Sequence, residues 1–110
     1  ENNSIQLFED RKIRTAWDEE QEEWYFSVQD VVAVLAESSD PKQYIKKMRT
    51  RDPELSANWG TICTPVQMPA ADGKMRKIQA ANTEGLLRII QSIPSPKAEP
   101  FKRLKPSVQM

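Results

Sequence analysis

Apolar and polar positions alternate early in this chain and shift to a helical spacing further on. A short apolar-rich stretch at residues 5–8 gives way to Glu9-Asp10, after which Ile13, Thr15 and Trp17 alternate with Lys12, Arg14 and Ala16. A period of two predicts strand, turn, strand. The acidic run 18–23 offers nothing to a core and reads as a solvated loop before Trp24-Tyr25-Phe26, which would complete a three-strand meander. The spacing then becomes three and four. Val28, Val31, Val32 and Leu35 form one helical stripe, Ser27 stands where it can cap the helix, and Phe26 can staple onto Val31 across that cap.

Asp40-Pro41 offers a second N-cap with proline in the first helical position, so residues 41–51 are predicted to be helical. Tyr44, Ile45 and Met48 fall on one face of that helix, and Lys42, Lys46 and Arg49 on an adjoining one. Asp52-Pro53 ends it, because the residue before a proline avoids helical geometry. Residues 54–62 read as a loop or short irregular helix anchored by Trp59. Two arms, 63–68 and 75–79, flank Asp72-Gly73 and predict a second hairpin, with Pro65 and Pro69 placing the first arm at a sheet edge or making it irregular. Asn82 or Thr83 caps a third helix carrying Leu86, Leu87, Ile89, Ile90 and Ile93, and Pro94 stops it. A last helix, starting near residue 97 or later, must hold Pro100 in its first turn; it would bury Phe101 and Leu104 and show Lys97, Lys102, Arg103 and Lys105 to solvent. The expected fold is α+β: two small β-hairpin or meander units packed with about four helices, in the order ββ(β)αα-ββ-αα.

Length limits this to one core, so 1–110 is expected to be a single domain with its body at 5–104 and a frayed end at 105–110. No apolar run approaches the roughly 18 residues that would span a bilayer. The opening Glu1-Asn2-Asn3-Ser4 shows no secretory signal. A chain that begins without Met is expected to be a trimmed one, which leaves a removed leader open. Cys63 has no second cysteine to pair with, which fits a reducing compartment, and the cytoplasm is the expected location.

Charge changes the picture once it is divided along the chain. Residues 1–40 carry 3 basic and 11 acidic groups, net −8, and residues 41–110 carry 13 basic and 5 acidic groups, net +8. Either the two parts neutralise each other in the fold, or the basic part meets a polyanion. Catalytic chemistry finds little to work with. There is no histidine, Cys63 has no histidine partner, one cysteine cannot build a zinc site, and Gly73-Lys74 lacks the rest of a phosphate loop. The acidic run lacks the glycine and ligand spacing of a calcium loop. No catalytic residue, metal, cofactor or small-molecule substrate is expected. The candidate nucleic-acid contacts are Lys42, Lys46, Lys47, Arg49, Arg51, Lys74, Arg76, Lys77, Lys102 and Arg103. Trp17 and Trp24 read as a cross-strand pair and Trp59 as core, with stacking on single-stranded bases as the alternative.

Three stretches taken together carry a resemblance: residues 24–32 (WYFSVQDVV), 82–90 (NTEGLLRII) and 95–103 (SPKAEPFKR). They resemble the Bro amino-terminal domain, named from the baculovirus repeated open reading frame proteins and also found at the start of many prophage antirepressors. Asp30-Val31 matches that family's Asp-Val pair, residues 82–86 its Asn-led helix start, and Ala98, Phe101, Lys102 and Arg103 its closing alanine-phenylalanine-basic segment. The aromatic that usually follows is replaced here by Leu104-Lys105-Pro106. The resemblance implies a DNA-binding module of a phage-derived, antirepressor-like transcriptional regulator, without catalytic residues or cofactor. The site residues above rest on charge and expected exposure alone. The function read from the sequence is double-stranded DNA binding away from any membrane; the alternative is a protein-interaction module that recognises a repressor or a second copy of itself.

Overall fold

The computed structural model describes residues 12–103. The strand expected at 5–8, Leu104 and Lys105 lie outside the described residues. Strands β1 (Thr15–Asp18) and β2 (Glu23–Ser27) form the first hairpin, and β3 (Thr64–Pro69) and β4 (Met75–Asn82) the second. The two hairpins join through β2 and β4 into one antiparallel sheet of order β1-β2-β4-β3. The proline-bearing β3 lies at the edge, as its missing N–H groups require. No glycine is needed to turn the first hairpin. The Asp18 carboxylate accepts from the N–H groups of Glu20 and Gln21 at 3.0 and 3.1 Å, and Glu22 takes the left-handed conformation at φ 52°. In the second, Gly73 at φ 83° supplies that conformation.

Both central strands run straight into helices. Ser27 is the last residue of β2 and the N-cap of α1 (Val28–Leu35), its Oγ accepting from Asp30 N. Asn82 ends β4 and caps α5 (Thr83–Ile90), its side-chain oxygen accepting from Gly85 N at 2.9 Å. Between them lie α2 (Pro41–Arg51), α3 (Pro53–Ala57) and α4 (Trp59–Ile62), and α6 (Glu99–Lys102) closes the described chain. The stretch expected as loop or irregular helix is thus two short helices, α3 capped by the Asp52 carboxylate. Residue 100 falls in the first turn of α6, as its proline demands.

The core forms where α1 and α5 lie on the sheet. Phe26, Val28, Val31, Val32, Leu35, Leu86, Ile89, Ile90, Ile93 and Phe101 are buried in one cluster that Met48 of α2 and Leu55 of α3 enter from the side. Each large aliphatic side chain buried there stabilises the fold by about 2 kcal/mol relative to exposure. Gly85 has a specific reason to be glycine. A Cβ there would stand 2.5 Å from the Ile62 carbonyl oxygen, so its absence lets the backbone of α4 rest directly on α5.

The sheet curls until its edges meet, and Arg14 holds them. Its backbone N–H, Nε and Nη2 donate to the two carboxylate oxygens of Asp30 at 2.9, 2.7 and 2.8 Å, while Nη1 donates to the Pro69 carbonyl at 2.9 Å. One guanidinium therefore ties the start of β1, the first turn of α1 and the end of β3. Among the described residues, no helix is long and apolar enough to cross a membrane.

Candidate nucleic-acid interface

Helix α2 is built from eleven residues without an acidic side chain, started by Asp40, whose carboxylate accepts from Gln43 N. Met48 is buried, and Tyr44 and Ile45 pack half-buried beside it. At about 100° per residue, Arg49, Lys42 and Lys46 fall within an arc of roughly 60° on one flank of that buried stripe. The fold brings these three together. With Ile45, Thr50 and Ser56 of α3 they line an open depression of about 380 Å³. Thr50 and Ser56 are site members that charge alone did not single out; the Thr50 hydroxyl donates to the Lys46 carbonyl one turn back at 3.0 Å.

The ten predicted contacts divide by whether the fold already uses them. Arg51 lies on the other flank of α2 and donates through Nη2 to the Ser92 carbonyl at 2.9 Å. Arg76 pairs with Asp72 in its own hairpin, and Lys102 with Glu99 one turn back at 2.9 Å, which leaves Lys102 half-buried rather than fully in solvent. By contrast, Lys42, Lys46, Lys47, Arg49, Lys74, Lys77 and Arg103 have no carboxylate within ion-pair distance among the described residues. Lys47 is exposed on α2 but turned away from the depression. Lys74, Arg76 and Lys77 are exposed on the β3–β4 hairpin, and Arg103 follows α6; none of them lines the depression.

Beneath the depression, Arg49 lies over Trp59, its Cζ 4.9 Å from the ring centroid. Its Nε is buried without a hydrogen-bond partner. Trp59 is half-buried against the core, so it is the anchor the sequence suggested, but its outer face carries an arginine. Cys63 is buried nearby. Burial pushes its thiol up to about 11, against smaller opposing effects of a Gln79 hydrogen bond and the Arg49 charge, so it stays protonated and inert at neutral pH.

The opposite charge gathers at the first hairpin. Trp17 and Trp24 face each other across β1 and β2 with ring centroids 5.3 Å apart, edge to face, and remain 47% and 40% exposed. Trp17, Asp18, Glu19, Glu20, Tyr25 and Val66, with Ala16, line a second depression of about 290 Å³. Its field registers on Tyr25: burial first, then the hydrogen bond to Glu23 and the charges of Glu23 and Asp18 raise the phenol above its usual range. A phosphate chain is repelled from this face, so the exposed indoles are poorly placed to stack on nucleic-acid bases.

Residues 12–106 match the family described as the BRO family, N-terminal domain. Neither the curated proteins nor the solved structures gave a match.

Proposed function

The chain belongs to the BRO family, N-terminal domain, and from that premise we propose that it binds double-stranded DNA, without catalysing a reaction, as part of a phage-derived, antirepressor-like transcriptional regulator in the cytoplasm. One observation carries this reading. Lys42, Lys46 and Arg49 line a single open depression and have no carboxylate partner among the described residues, whereas Arg14, Arg76, Arg88 and Lys102 are paired within the fold. An exposed helix of this charge suits the duplex major groove, which is about 12 Å wide, and its cations suit the phosphates beside it. Lys47 on the same helix and Lys74 and Lys77 on the hairpin are the further contacts we assign. Arg51, Arg76 and Lys102 are weaker candidates, because each already holds a partner within the fold.

The test is anisotropy titration of labelled duplex across several salt concentrations, with a single strand in parallel. The expected result is a slope of log affinity against log salt of about −3 or steeper, since each phosphate contact contributes about −0.9. Lys42→Glu/Lys46→Glu should abolish duplex binding. Absence of duplex binding at low salt, up to about 10⁻⁴ M protein, would remove the DNA reading. The acidic, indole-bearing hairpin supports the second reading, a protein-interaction module for a repressor or a second copy; under it the same reversal weakens association and no duplex is bound.

A further inference from the structure

We infer that Trp59 is a positioning residue for the phosphate contact of Arg49: its ring fixes the guanidinium at the wall of the α2 depression and so pre-forms one phosphate seat. The inference rests on the DNA-binding reading and adds to it a residue that touches no nucleic acid.

An arginine on an exposed helix ordinarily samples many rotamers, and ordering it on binding costs affinity. Arg49 is packed against the protein instead. Its guanidinium lies over the Trp59 ring at 4.9 Å, and its Nε is buried without a partner. A cation over an aromatic face is attracted by the ring quadrupole, a contact that uses none of its N–H donors. Among the described residues the two terminal nitrogens have no hydrogen-bond or carboxylate partner, so they stay available where Arg49 lines the depression with Lys42, Lys46, Thr50 and Ser56. The Thr50 hydroxyl already donates to the Lys46 carbonyl at 3.0 Å, while two lysines, the Ser56 hydroxyl and one planar fork make a seat for a tetrahedral dianion or a bridging phosphodiester. In duplex DNA the second is what is offered.

The seat is tied to the core through the backbone. Trp59 opens α4, whose last residue, Ile62, rests its carbonyl oxygen on Gly85 of α5. The ring is therefore fixed by the most buried helix of the domain, and Arg49 inherits that rigidity.

Duplex titrations over a salt series would compare the wild type with Arg49→Gln, Trp59→Leu, the double variant and Arg49→Lys, each checked by thermal melt. Arg49→Gln should weaken binding about tenfold and reduce the salt slope by about one. Trp59→Leu retains the arginine and is expected to lose about three- to tenfold with a comparable fall in slope, and the double variant to be no weaker than Arg49→Gln. Arg49→Lys keeps the charge and leaves the core intact, yet it should fall as far as Trp59→Leu, because a strongly hydrated ammonium on a flexible stem is held less well by the ring and presents no planar fork. It carries the test alone if Trp59→Leu does not fold. Wild-type affinity and slope in Arg49→Lys, or additive losses in the double variant, would overturn the positioning role while leaving DNA binding in place. A wild type that binds no duplex would remove the DNA reading itself.

Discussion

The β2–α1 junction and the depression on α2 each hold an arginine still, by opposite means. At the junction, Arg14 meets Asp30 through side-chain contacts at 2.7 and 2.8 Å, spends a further donor on Pro69, and has little left to offer a partner. On α2, Arg49 is held by the face of Trp59 and keeps its terminal nitrogens free of partners among the described residues. The first arrangement uses charge to close a fold; the second uses an uncharged surface to present charge outward. A neutral formal total therefore says little about where charge is satisfied.

The sharpest way to break this comparison is Asp30→Ala. It would leave Arg14 partly buried without its carboxylate and should cost about 3 kcal/mol, read by urea unfolding, with the DNA salt slope unchanged in the folded protein. Gly85→Ala comes next. The Ile62 carbonyl must yield to the new methyl, at a cost of about 2 kcal/mol, and the shift of α4 should also lower duplex affinity because it carries Trp59.

A smaller, pH-dependent effect is expected at Asp52. This carboxylate caps α3 and accepts from Ser92 Oγ at 2.8 Å and Arg88 Nη2 at 3.4 Å. The Leu55 N–H foremost, then Ser92 and Arg88, hold it below the usual carboxylate range. A depressed folded pKa stabilises above the unfolded value and loses that stabilisation as pH falls through the folded one. The wild type should thus lose urea resistance relative to Asp52→Asn below about pH 4, and parallel curves would refute the linkage. At the small end, Lys42→Glu/Lys46→Glu should change stability by no more than about 0.5 kcal/mol. A larger loss would mean that α2 uses these charges for folding after all.

Much of the fold was legible because it rests on local rules. The caps at Ser27, Asp40 and Asn82, the prolines at helix starts and the edge position of β3 follow from residues within a few positions of one another. The joining of the hairpins through β2 and β4 was not, since nothing in either hairpin specifies which strand of the other it pairs with. Arg14 looked like one more polar residue on an alternating strand. Its partners lie 16 and 55 positions away. The candidate site shows the same division. Helical spacing grouped Lys42, Lys46 and Arg49, and the pairs Arg76–Asp72 and Lys102–Glu99 are local, but only the tertiary fold showed that Arg51 is engaged by Ser92 and that Trp59 stands under Arg49.

Because Ser27 and Asn82 each belong to a strand and a helix at once, the frame has no slack at either junction. One residue inserted between Ser27 and Val28 would turn α1 by about 100° against the sheet and carry its apolar stripe out of the core. Length can change more freely at the two hairpin ends, around residues 19–22 and 70–74, which belong to neither junction. One end is acidic and the other leads into the basic start of β4 at Arg76 and Lys77, so the places where loops can be exchanged are also those where the preference for partners can be retuned without disturbing α2.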